Sequence, residues 1–307
     1  MVSISQTEFQ GWPSCYQVTN QQVSLIVTAD VGPRIVSWGF TGGTNEVVLF
    51  PDDLGKVGGE QYRFYGGHRL WHAPEVMPRT YAPDNGPVEV EQAGGRLSVT
   101  APVEPSTGIQ KRIEIEMDEQ DAHVRLVHRL TNHGLWPVEC APWAVTMCAP
   151  GGVGILPLPL GGAHEQNLLP RTSLVLWSYT DLTDPRWTWG NRYLMLRQDT
   201  ARPAAQKVGL FVPTDPWIAY ARAGHLFVKA VSVSPDARYP DRGSNLELFT
   251  NDVFLEIETL GPLAVLQPGG SVDHVEDWYL FDGVPQPESE ADLVEHAVPL
   301  VAAIRGQ

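Results

Sequence analysis

Alternation of apolar and polar residues with a period of two runs through most of the chain. In "IQKRIEIEM" (109–117), Ile113 and Ile115 share one side while Arg112, Glu114 and Glu116 share the other. That is the pattern of a strand with one face on a core and one in water. Similar segments predict strands over 23–29, 34–40, 87–92, 96–101, 123–132, 138–147, 207–212, 225–233, 246–250, 254–260 and 276–281. Turn signals separate them, among them Asp84-Asn85-Gly86, Gly94-Gly95, Gly151-Gly152 and Pro268-Gly269-Gly270. The segments 96–101 and 109–117 are expected to pair as antiparallel neighbours. Many short strands at close spacing predict an all-β protein, a sandwich of antiparallel sheets, and no shift in composition marks a second domain. Only the tail has helical character. Ser289 and Asp292 form a capping-box pattern, Leu293, Ala297 and Leu300 recur at helical spacing, and Pro299 is expected to kink the segment. The expected organisation is a β-sandwich over 1–285 with a short C-terminal helical tail, 286–307, packed on it.

Composition narrows the classes of partner. Of 307 residues, 43% are hydrophobic, enough for a large core, and the formal charge of −15 argues against nucleic acid and anionic membrane surfaces. The start of the chain, "MVSISQTEFQGW", has neither a basic segment nor an apolar run, so no signal peptide is expected. Cys15, Cys140 and Cys148 are an odd number at wide spacing, which predicts free buried thiols and a reducing, cytoplasmic setting. No P-loop and no G-x-S-x-G elbow is present. No cofactor is expected, and the chain is expected to be a monomer or homodimer.

Three segments could carry chemistry. In "FLEIETLGP", Glu256 and Glu258 point to one face of a strand, ~7 Å apart. If 246–250 and 254–260 form a hairpin, Glu247 joins them. Carboxylates that close raise the pKa of at least one member and create an acid or base near neutral pH; the alternative is a solvent-facing polar stripe. In "PRWTWGNRY", Trp187 and Trp189 flank polar donors, as suits the apolar faces and polar rim of a sugar, or else fill the core. The stretch "YGGHRLWHAPE" (65–75) holds His68, Arg69, Trp71, His72 and Glu75. His68 and His72 have the i, i+4 spacing of a zinc helix. However, the Glu that should follow the first His is missing, and Gly66-Gly67 and Pro74 disfavour a helix, so a pocket rim is expected rather than a metal site.

These residues also carry a resemblance. The run "NLELFTNDVFLEIETLGPLAVLQPGGSVDHVEDWYLF" resembles the end of the galactose mutarotase (aldose 1-epimerase) superfamily, and "YGGHRLWHAPE" resembles its early glycine-rich segment. The segments "GGHRLWxAPE", "PDN", "APWAVT…APGG" and "ETLGPL" together resemble a bacterial branch of mutarotase-like proteins, over nearly the whole chain except the C-terminal helix. The resemblance implies a supersandwich with a sugar-binding concave face. It also implies proton transfer at the anomeric centre, with Glu258 as base and Arg69 binding substrate. Where it implies a proton-donating His, this chain has Trp143, whose indole can only donate a hydrogen bond. A second His position corresponds to Asp84 and Asn85. His72 is therefore the first candidate for the acid and Asp84 the second. Arg69, His68, Trp71, Glu75, Asp84, Asn85, Trp143, Trp187 and Glu256 are the expected sugar contacts. The implied function is an aldose or saccharide epimerase; a non-catalytic carbohydrate-binding protein, or a glycoside-cleaving or lyase activity in the same pocket, are the alternatives.

Overall fold

Two antiparallel sheets face each other and bury apolar side chains between them. The computed structural model describes residues 1–305, and among these one sheet has eleven strands and the other ten. The first sheet runs Ser3–Phe9, Trp12–Thr19, Val23–Thr28, Arg34–Phe40, His68–Ala73, Val138–Cys148, Leu255–Leu260, Leu246–Thr250, Gln206–Leu210 and Leu174–Leu176. The short strand Ala264–Leu266 pairs with the start of Val138–Cys148. The second sheet has His123–Asn132, Ser271–Phe281, His225–Val231 and Trp217–Arg222 at its centre. The predicted neighbours Arg96–Thr100 and Ile109–Met117 do pair, with Val99 opposite Ile113 and Leu97 opposite Ile115. Those apolar residues are buried, while Glu116 on the outer side is exposed.

The inter-sheet core joins Trp38, Trp278 and Phe227 to aliphatic residues of both layers. The helical tail runs through 290–305 and lays Leu293, Ala297 and Val301 against Val153, Ile155 and Trp217. Its capping box is present, with Ser289 and Asp292 bonding each other's backbone. The helix widens to π geometry over Leu293–Ala297, just before Pro299. Proline lacks the N–H that would close the preceding turn, so the expected kink is taken up as a wider turn. Among the described residues, no helix is long and apolar enough to cross a membrane. Cys15, Cys140 and Cys148 are free and buried.

One strand runs against expectation. Residues 68–73, read above as a pocket rim, form a central strand buried on both faces. Gly66 and Gly67 make its entry possible. Both have positive φ, and a Cβ on either would lie 2.1 Å from a backbone oxygen, Val48 for one and Ile35 for the other.

Candidate functional site

Cross-strand register assembles the site. In an antiparallel pair, directly opposed residues share a face. Arg69 stands opposite Val145, Val145 opposite Glu258, and Glu258 opposite Glu247. One row along, Glu256 stands opposite Phe249 and Phe249 opposite Lys207. Trp71 opposes Trp143. All these side chains therefore emerge on the outer, concave face of the first sheet, where a cavity of about 550 Å³ opens. Arg69, Trp71, Trp143, Lys207 and Glu256 line its floor, with Glu75, Tyr81, Tyr179, Phe249 and Phe254 among its walls.

Charge is densely paired here. Arg69 Nη2 lies 3.1 Å from Glu256 Oε1, and the guanidinium stacks over Trp71, 4.0 Å from the ring centre. Arg69 Nε and Nη1 are buried without a hydrogen-bond partner. Lys207 Nζ lies 2.9 Å from Glu258 Oε2 and 2.9 Å from Glu247 Oε2, between the faces of Trp143 and Trp177. The contact to Glu258 is an aligned hydrogen bond, whereas that to Glu247 is an ion contact without such alignment. Trp143 donates its indole N–H to the same Glu258 oxygen at 2.8 Å.

Three carboxylates against two cations leaves an excess of negative charge in a dry floor. Burial pushes Glu256 up to about 7, against the opposing pull of Arg69. Burial likewise raises Glu247 well above the usual carboxylate range. Burial opposes the Lys207 ammonium, yet Glu247 and Glu258 raise its pKa well above that of a free lysine. The floor thus holds a carboxyl poised between its two forms beside a firmly protonated amine.

The structure brings together Glu256, Glu258, Arg69, Trp71, Trp143 and Glu75 from the residues singled out in the sequence. Glu75 sits on the wall and accepts a hydrogen bond from Tyr81. The others lie elsewhere. His68 and His72 alternate with Arg69 and Trp71, so strand geometry sends them to the opposite face. His72 pairs with Glu104 at 3.2 Å, and burial lowers its pKa. Burial opposes ionisation of Glu104, but Lys111, 2.5 Å away, and His72 hold its pKa at about 2. His72 is therefore not beside Glu258, and the proton donor expected from it does not reach the bowl. Asp84 is in a buried ion pair with Arg34 at 2.9 Å. Asn85 bonds the carbonyls of Gly59 and Gln61, holding a loop. Trp187 lies on the second sheet with its N–H on Asp181 and Gln206.

His68 instead belongs to a polar network between the sheets. Its Nδ1 is 2.8 Å from Thr146 and its Nε2 is 2.7 Å from His128 Nε2. Glu276 accepts from Lys229 at 2.6 Å, from Trp278 at 2.7 Å and from Thr259. His68, His128 and Glu276 converge as metal ligands could. Lys229 already supplies the positive charge that a cation would bring, and a consistent set of donors and acceptors closes the network. Burial keeps all three histidines of this network, His68, His128 and His274, depressed, His274 to about 3.

Lys207 is the main residue that sequence reasoning missed. The segment 207–212 was expected as a strand, and a lysine inside an otherwise apolar run, "KVGLFV", was the available signal. A buried lysine requires a partner. Strand spacing puts Phe249 on one face with Glu247, whereas nothing local in the sequence placed the other aromatic walls, Tyr179 and Phe254.

Solved structures share the fold. A galactose mutarotase-like protein from Lactobacillus casei superposes with a TM-score of 0.56 at 11% identity, covering 87% of this chain and 100% of that one. The fold is galactose mutarotase-like. A galactose mutarotase related enzyme from Lactobacillus acidophilus gives 0.53 at 10% identity, over 89% and 99%. A protein from Synechocystis sp. PCC 6803 gives 0.57 at 12% identity, over 92% and 100%. No family model matches the sequence, and no curated protein matches it. At these identities the mutarotase-like likeness is one of fold, and chemistry has to be argued from the side chains.

Proposed function

We propose that the protein binds a saccharide in the concave bowl and interconverts its anomers by proton transfer at the anomeric centre. The observation that carries this reading is the meeting of two features in one cavity. Trp71 and Trp143 line the cavity as apolar surface, and beside them lie Arg69, two of whose nitrogens have no protein partner, and Glu256. A guanidinium on the cavity floor suits sugar hydroxyls, and opening a pyranose ring needs one group to take a proton and another to give one.

A second reading, carbohydrate binding without turnover, draws support from Trp143 and from the two histidines turned away from the bowl. One experiment separates the two. Freshly dissolved α-D-glucose and α-D-galactose are followed by polarimetry with and without protein, and binding is read in parallel from tryptophan fluorescence. The proposed activity predicts exchange faster than buffer, with saturation. Binding with no exchange above buffer would leave only the second reading.

A further inference from the structure

The carboxylate that the mutarotase resemblance nominates as base, Glu258, is poorly placed to act as one. It is fully buried, it does not line the cavity, and its Oε2 already accepts from both Trp143 and Lys207. Its Oε1 is enclosed and unbonded. Trp143 and Lys207, both of which line the cavity, are the groups bonded to Glu258. Glu256, two residues earlier on the same strand, does line the cavity, and Arg69 holds only one of its oxygens. Across the floor, Lys207 also lines the cavity. Its ammonium donates one hydrogen bond to Glu258 and lies 2.9 Å from Glu247 without an aligned bond, so donor capacity remains for a ligand. Glu256 and Lys207 stand on strands separated by one intervening strand, so about 10 Å divides their backbones. Both side chains line the same cavity, one on each side of Phe249, so a ring lying over Phe249 would have O1 toward one and its ring oxygen toward the other.

We propose that Glu256 and Lys207, and not Glu258, are the proton-exchanging pair, with Trp143 and Glu258 acting to fix Lys207. This rests on the anomer-exchange reading above. In the forward step the Glu256 carboxylate takes the proton of the O1 hydroxyl and O1 becomes the carbonyl oxygen. The C1–O5 bond breaks, and its electron pair takes a proton from the Lys207 ammonium, giving the O5 hydroxyl. After rotation about C1–C2, O5 returns its proton to the Lys207 amine as it attacks C1, and Glu256 reprotonates O1. No atom or electron is left over.

The test measures anomer exchange of α-D-glucose and α-D-galactose by NMR magnetisation transfer for the wild type and for E256Q, E258Q and K207R. K207R keeps the cation that neutralises Glu247 and Glu258 but cannot release a proton. Thermal melting and sugar affinity are recorded for each variant to confirm folding. The expected result is a loss on the order of 10²-fold or more for E256Q and K207R, with sugar still bound, and under tenfold for E258Q. The wild-type rate should also rise with pH through about 7, the Glu256 value set among Arg69, Lys207, Glu258 and Glu247, and that limb should vanish in E256Q. A larger loss in E258Q than in E256Q, or a limb that survives in E256Q, overturns the assignment while leaving anomer exchange intact. A wild type that binds sugar without exchange overturns both.

Discussion

A single indole shows how tightly the floor of the bowl is specified. Trp143 closes a wall with Trp71, whose ring centre is 5.2 Å away, and donates to Glu258. Replacing it with phenylalanine keeps most of the apolar wall and removes the donor. Leaving a buried carboxylate short of one hydrogen bond costs about 1–3 kcal/mol, and chemical denaturation should register a loss of that order. No loss would mean that Glu258 does not depend on the indole. Lys207 should be less forgiving. Its change to methionine leaves Glu247 and Glu258 buried and uncompensated, and breaking a buried pair in this way costs about 3–5 kcal/mol. These residues illustrate what the sequence could reveal. Period two alone puts Glu256 and Glu258 on one face, and the Glu247 hairpin follows from the spacing of two strands. The sign of the compensating charge was hidden, because Lys207 comes from a strand some 50 residues earlier.

Strands buried on both faces were the elements hardest to read. His68–Ala73 is buried throughout, with Arg69 and Trp71 on the bowl side and His68, Leu70 and His72 on the core side. A strand that serves a polar pocket and a polar inter-sheet network loses the apolar–polar alternation by which half-exposed strands such as Ile109–Met117 are recognised. The same doubled role turned His72 from an expected neighbour of Glu258 into a partner of Glu104.

The buried histidines have a consequence for the sheets they join. His68, His72, His128 and His274 have folded-state pKa values below the ordinary histidine value because burial resists the charged form. Below about pH 6.5 the unfolded chain takes up protons that these four refuse, so stability falls as pH falls. Glu247 and Glu256 act oppositely, since their raised values stabilise the fold as pH drops from about 7 toward 4.5. Asp241, also raised by burial, acts with these two, but four histidines still outnumber three carboxyls, each group contributing up to about 1.4 kcal/mol per pH unit. The urea midpoint should therefore decline between pH 6.5 and 5, and the decline should steepen in E256Q. A midpoint that holds steady or climbs over that interval would show that the histidines are not held neutral.

At the scale of the whole molecule, the two sheets divide the work. The second sheet and the helical tail supply a thick apolar backing, while the first sheet carries the cavity on its outer face. The β-sandwich was legible from strand count and turn spacing. The bowl was implied only by the family resemblance and not by periodicity, because it depends on which strands become neighbours across 200 residues of chain. The central claim is that a saccharide sits in that bowl with its anomeric centre between Glu256 and Lys207. A crystal of the protein soaked with D-galactose tests it most directly. The account predicts a pyranose ring against Trp71 and Trp143, hydroxyls on Arg69, O1 at Glu256 and the ring oxygen at Lys207. A sugar bound elsewhere, or lying in the bowl with its anomeric carbon turned away from both side chains, would contradict it.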